Sequence, residues 1–246
     1  MNYLKYGTHS DTIGVYIQTS TDGIQAIFLT YYSCIHIFSR QNTFSLQEFN
    51  AFLNEHPFSM IYCKKATALY IWNSIEKNSS EFSISFGWVA QLTSLCHKRD
   101  RNVEMAKKED FRQIAEMICA DEDIGRSYNI DNLAKQLYER NQEGYTRNVV
   151  IKDGKVVVAH ACTNAEINGI AVVGELVVNK EYRRQGYGSD IWCNLCYTLL
   201  NENKEIYSFY YSDVSRALHR KMGFREVCEW GKIVVSPQQN RGLKNA

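Results

Sequence analysis

Between Val177 and Ser189 the chain passes from apolar residues through a polar turn bearing Arg183, Arg184 and Gln185 to two glycines one residue apart, Gly186 and Gly188, and then into a helical pattern. Glycines at alternate positions let the backbone approach a ligand without Cβ collisions. The helix that follows presents free N–H groups and the positive end of its dipole. A phosphate or pyrophosphate is the guest such a turn suits. Neither of the better-known phosphate loops fits, because there is no Gly-Lys-Ser/Thr and no third glycine. A tight strand-to-helix turn with solvated arginines remains the plain alternative. Other side chains able to do chemistry are Glu175, on the apolar run two residues before Val177, the tyrosines Tyr207, Tyr210 and Tyr211, and His219. Glu175 is placed to accept a proton directly or through water, although strand alternation could equally aim it at solvent.

The string Arg183-x-x-Gly186-x-Gly188 after a Val-rich run resembles the acetyl-CoA pyrophosphate loop of the GNAT N-acetyltransferase superfamily. Further on, Leu218-His219-Arg220-Lys221-Met222-Gly223-Phe224 resembles that superfamily's second signature, a helix ending in Leu-Tyr-x-x-x-Gly-Phe. The resemblance covers about residues 101–246 and none of the first hundred. It implies a mixed central sheet flanked by helices and transfer of an acetyl group from acetyl-CoA, as cosubstrate, to a primary amine of a small molecule or peptide by direct attack. It implies that the backbone of Leu176, Val177 and Val178 pairs with the pantetheine arm as a further strand. The amides from Arg184 through Gln185, Gly186, Tyr187 and Gly188 to Ser189 would then hold the pyrophosphate, with Arg183 and Arg184 as charged partners. The usual tyrosine acid is His219 here, the asparagine seven residues earlier is Ser212, counted with the cofactor-binding residues, and the common proline after the strand is Lys180. His219 as acid, or a thiolate leaving with the help of solvent, are both open. A coenzyme-binding or sensor protein with weakened turnover is the alternative function. Asp121-Glu122-Asp123 lies where this superfamily often receives its acceptor, and would attract a cationic amine.

Composition narrows the field. With 246 residues and 45% apolar residues the chain can build a proper core. A net charge of +1 argues against a dedicated nucleic-acid or membrane-surface protein. No run approaches the ~18 apolar residues of a spanning helix, and Met1–Tyr6 lacks the layout of a secretory signal. A cytoplasmic protein is expected. The eight cysteines are scattered, several of them in apolar runs that suit reduced thiols. Cys193-x-x-Cys196 has no second ligand pair at comparable spacing, and Cys96-His97 stands alone, so no metal is expected.

The elements that must position these residues follow from pattern and punctuation. Two strands around Thr21-Asp22-Gly23 and a third at 34–38 open the chain. The Ser45 to Glu48 capping spacing starts a helix with Phe49, Phe52 and Leu53 on one side, ending near His56-Pro57. A strand at 58–62 follows, then an apolar stretch, 66–75, that periodicity leaves undecided between helix and strand. Another strand falls within 79–95. The polar stretch 96–102 separates an N-terminal α+β domain, residues 1–98, of no legible function, from a second domain, residues 99–246. Lone His36 and His56 suit structural roles, and the many aromatics suit core. The second domain should run strand 103–106, helix 109–120, helix 130–142, and strands 148–152 and 156–163 around Asp153-Gly154. Strand 169–178, the glycine loop, helix 191–200, strand 206–211, helix 214–222 and strand 227–235 complete it.

Overall fold

The computed structural model describes residues 13–74, 82–95, 101–121 and 129–235. Cys96, His97, Glu122 and Asp123 fall outside these residues. The described elements, in chain order, are β1 (Ile13–Ser20), β2 (Gly23–Tyr31), β3 (Cys34–Phe38), α1 (Leu46–Glu55), β4 (Met60–Lys64), α2 (Lys65–Trp72), β5 (Phe82–Leu92) and β6 (Glu104–Met105). Then come α3 (Asp110–Cys119), α4 (Ile130–Gln142), β7 (Asn148–Asp153), β8 (Val156–Ile167), β9 (Ile170–Val178), a 3-10 turn (Lys180–Tyr182), α5 (Tyr187–Asn201), β10 (Glu205–Tyr210), α6 (Asp213–Lys221) and β11 (Phe224–Val235). This is an α+β fold with mixed strand pairing: β3·β4 and β9·β10 run parallel, while β1·β2, β2·β3, β4·β11, β6·β7, β7·β8 and β8·β9 run antiparallel. No described helix is long and apolar enough to cross a membrane.

The described residues form two compact units that interleave along the chain. One holds residues 13–89, 210–212 and 226–235, and the other holds 90–209 and 213–225. The chain changes unit inside β5, at the end of β10, before α6 and inside β11, so neither unit is a single uninterrupted segment.

In the first unit, Gly23 takes a left-handed φ of 106° and closes the β1–β2 hairpin, which pairs Ser20 with Gly23. The hydroxyl of Ser45 accepts from the Glu48 N–H and starts α1, and His56 caps its end. Phe49 from α1 joins Phe28, Phe44, Ile35, Ile61 and Ile71 in the core, with the Phe28 and Phe49 rings 5.3 Å apart. The undecided stretch at 66–75 is helical over Lys65–Trp72. Its buried residues Thr67, Ala68 and Ile71 fall on one helical face.

In the second unit, Phe111, Ile114, Ala115 and Ile118 of α3 and Leu133 and Leu137 of α4 pack on Val150, Val157 and Val177. Helix α5 packs on β7, β8 and β9. Consecutive residues of β8 from Val157 to Thr163 are buried, as expected of a strand covered on both faces. β8 runs to Ile167, beyond the expected end at 163, because its pairing with β9 continues to the Ile167–Ile170 pair. Helix α5 begins at Tyr187, inside the glycine loop and four residues before the expected start at 191. The apolar periodicity misses that first turn because its residues are polar or glycine. Cys193 and Cys196 lie on its buried face, and Cys196 is a free thiol.

Candidate functional site

β9 is an ordinary sheet strand for half its length and something else for the rest. Its parallel pairing with β10 runs from Ile170–Glu205 to Val173–Ser208 and stops, although β9 continues to Val178. On its other edge the register with β8 shifts. Cys162 faces Gly174 and His160 faces Val177, so three steps along β9 match two along β8. The extra residue is a bulge, and Glu175 within it adopts a left-handed φ of 51°. A non-glycine residue there costs on the order of 1–3 kcal/mol, a strain that clusters at functional sites. A compensating irregularity lies on β8 between Thr163 and Ala165. Asn164, the residue between them, packs so closely on Gly174 that a Cβ there would meet its Nδ2 at 2.4 Å. Beyond Val173, then, the β9 edge once paired to β10 is available to an extended ligand, which would bond to it as a further strand does.

The strand leads into the glycine turn. Asn179 caps the 3-10 turn through the Glu181 N–H, and the chain then takes two left-handed residues, Arg184 (φ 62°) and Gly186 (φ 90°), around Gln185. Gly186 is the N-cap of α5 and contributes no side chain, so the first-turn N–H groups of Tyr187, Gly188 and Ser189 face outward without an intrahelical acceptor. Gly186 is required by its φ. Gly188 is not, since a Cβ there would meet only Val178 Cγ2 at 3.4 Å and Leu176 Cδ2 at 3.9 Å. A bare backbone at Gly188 is what close approach of a phosphate demands.

Residues 176–189 thus form one continuous strand, turn and helix start. Val177 is buried in the core, while Leu176 and Val178 are half-buried. The two arginines of the motif differ. Arg183 donates from Nε to the Val178 carbonyl (3.0 Å) and from Nη2 to Asp121 (3.1 Å), so it braces the turn. Arg184 is exposed and makes no such contact among the described residues. Asp121, expected to draw a cationic acceptor, is therefore engaged with Arg183. Ser212 directly precedes α6 and belongs to the other compact unit. Two residues escaped the sequence reading. Arg101 donates to the buried Asp190 (2.6 Å) and to the Gln185 carbonyl (2.9 Å) and stacks on Tyr187. An acid directly before the apolar residues Ile191, Trp192 and Cys193 was the one signal available.

Glu175 is half-buried, and burial raises its carboxyl above the usual carboxylate range. The Cys162 thiol, 3.5 Å from its Oε2, and the nearby positive charge of Arg140 oppose that rise without cancelling it. Burial also pushes the Cys162 thiol far up, so it stays protonated and donates. Behind the bulge, His160 is fully buried with Nε2 3.0 Å from Asn148 Oδ1, and burial lowers its pKa to about 3.

His219 is engaged at both ring nitrogens. Its Nδ1 lies 2.7 Å from the Ser215 carbonyl, which can only accept, so Nδ1 carries the proton and Nε2 accepts from the Ser208 hydroxyl at 2.8 Å. The ring is buried edge-on against Trp192 and Phe224, and burial lowers its pKa. Tyr207 donates to Glu205 at 2.7 Å, Tyr210 is buried and Tyr211 exposed. Among the described residues, no group of three or more His, Cys, Asp or Glu could hold a metal ion.

Residues 110–224 match the profile of the acetyltransferase (GNAT) family. No curated protein sequence gives a significant match. A GNAT-family acetyltransferase from Colwellia psychrerythraea has a similar structure, with TM-score 0.63, 10% identity, and coverage of 96% of this chain and 90% of that one. A GCN5-related N-acetyltransferase from Kribbella flavida gives TM-score 0.61 at 15% identity, covering 92% and 90%. A GCN5-related N-acetyltransferase-like protein from Streptococcus suis gives 0.59 at 10%, covering 92% and 90%. At such identities the likeness is one of fold.

Proposed function

With residues 110–224 forming a GNAT acetyltransferase family domain, we propose that the chain transfers an acetyl group from acetyl-CoA to a primary amine by direct attack. The observation that carries this reading is the β9 edge that outlasts its pairing with β10 and runs into a left-handed turn at a helix N-terminus. The residues present suit the coenzyme. Leu176 to Val178 offer strand-like backbone groups to an extended amide-bearing arm. The amides of Gly186 to Ser189, with Arg184, suit a diphosphate. Acetyl-CoA supplies a thioester carbonyl activated toward an amine.

In this reading the amine nitrogen bonds to the carbonyl carbon, the carbon–sulfur bond breaks, and the amine loses one proton while the thiolate gains one. Glu175 takes the amine proton, for which its raised pKa is an advantage: a stronger base is a better acceptor. His219 serves as an anchor between α6 and β10, and the thiolate is protonated from solvent. An imidazole whose one proton is already given to a backbone carbonyl is a poor acid. The acceptor is a small molecule or peptide amine, and residues 99–246 carry the chemistry, with no part in it assigned to residues 1–98.

The closed environment of His219 also favours a second reading, a coenzyme-binding protein with little turnover. Thiol release from acetyl-CoA across a panel of amines, paired with calorimetric titration of CoA, separates the two. The proposal expects coenzyme binding and release with at least one amine. Binding without release supports the second reading, and no heat at millimolar CoA overturns both.

A further inference from the structure

We infer that Arg101 is a positioning residue for coenzyme binding, which it supports by fixing the shape of the turn rather than by offering charge to the ligand. The inference rests on the function proposed above. One guanidinium makes three contacts to the turn and its helix, 84 to 89 residues away in sequence: Nη1 to Asp190 Oδ2 at 2.6 Å, Nη2 to the Gln185 carbonyl at 2.9 Å, and a stack 3.9 Å above the Tyr187 ring. Each contact falls on a different part of the motif. Gln185 lies between the two left-handed residues, Arg184 and Gly186, and its carbonyl belongs to the peptide plane that leads into Gly186. Tyr187 is the first residue of α5, and Asp190 closes its first turn by donating its N–H to the Gly186 carbonyl at 3.0 Å.

The charge of Arg101 is neutralised at close range. Asp190 is only 2% exposed, and the short bond to it spends one edge of the guanidinium while Gln185 takes the other. What remains is geometry: a planar fork that holds the turn with its amides outward before any ligand arrives. Lysine has no such fork, so a retained charge alone does not reproduce it.

The two possible roles, shape and charge, predict opposite outcomes for one substitution. D190N removes a negative charge beneath the turn. If Arg101 acted through charge, D190N would free it and tighten binding of the anionic coenzyme. If it acts through shape, D190N weakens the brace and binding falls. The experiment titrates CoA and pantetheine, which lacks the diphosphate, into the full-length protein, R101A, R101K and D190N by calorimetry, with circular dichroism confirming each fold. Expected are a loss of about tenfold in CoA affinity for R101A, nearly the same loss for R101K, a smaller loss for D190N, and unchanged pantetheine affinity throughout. R101K with wild-type affinity, or D190N binding CoA more tightly, overturns the inference and leaves the proposed function standing. Equal loss for CoA and pantetheine overturns it as well, because the effect would then be general destabilisation. A wild-type protein that binds neither ligand overturns the inference together with the function beneath it.

Discussion

Two ends of the second unit carry the two sequence signatures, and they are built in opposite ways. At the β9–α5 end the fold spends strain and leaves groups open: Glu175, Arg184 and Gly186 are left-handed, the strand edge outruns its partner, and helix amides face outward. At the β10–α6 end it closes everything. Both nitrogens of His219 are bonded and its ring is packed between Trp192 and Phe224. Resemblance in sequence alone makes both ends look equally chemical. The two ends differ in strain and in hydrogen bonding, and under the proposed function the first receives the coenzyme while the second holds the fold.

The largest expected effect tests the open end. E175Q should lower kcat by roughly 10²–10⁴-fold with little change in coenzyme affinity, the loss typical of a missing general base. A base works when deprotonated, so the wild-type rate should climb as pH rises through the raised pKa of Glu175, and that limb should vanish in E175Q. An intact limb in the variant would move the base elsewhere.

Next is the turn. G186A forces a side chain onto a φ of 90°, with a strain of about 1–3 kcal/mol. CoA affinity should fall about tenfold or more while circular dichroism stays native. Wild-type affinity would mean the turn is not what holds the coenzyme.

The paired arginines sharpen the comparison within the motif. R184A should weaken CoA binding roughly tenfold and flatten its salt dependence, as expected for loss of a charge-assisted contact. R183A should chiefly lower the melting temperature, because Arg183 is committed to Val178 and Asp121. Reversed outcomes would exchange their roles.

The smallest effect on activity belongs to the closed end. H219F strands the Ser208 hydroxyl, costing about 1–3 kcal/mol of stability, yet kcat should stay within a few-fold and the pH–rate profile should keep its shape. Stability should also depend on pH in a definite direction. His36, His160 and His219 all have folded-state pKa values below the ordinary 6.5, so the unfolded chain binds more protons and stability falls as pH drops below 6.5. The His160 part of that loss continues to about pH 3, and H219F should remove only the His219 part. A lost limb in the pH–rate profile of H219F would instead restore the histidine as an acid.

Much of this was readable before any coordinates. Local signals located most elements: Asp22-Gly23 and Asp153-Gly154 marked hairpins, Ser45 with Glu48 marked a helix start, and Gly186 with Gly188 marked the turn. What could not be read depends on distant partners. Nothing near Arg101 announces Asp190, since 89 residues separate them. Glu175 gains its environment from Cys162 on β8 and Arg140 on α4, and its bulge exists only as a register against β8. For His219 a motif records position, whereas protonation follows from Ser208, Ser215 and the surrounding rings.

Backbone hydrogen exchange with and without CoA tests the central claim most directly. Slowed exchange concentrated at the amides of 174–178 and 184–190, with His219 and its neighbours on α6 unchanged, is the predicted result. Exchange at those two segments that is indifferent to saturating CoA, or protection confined to α6, would contradict it.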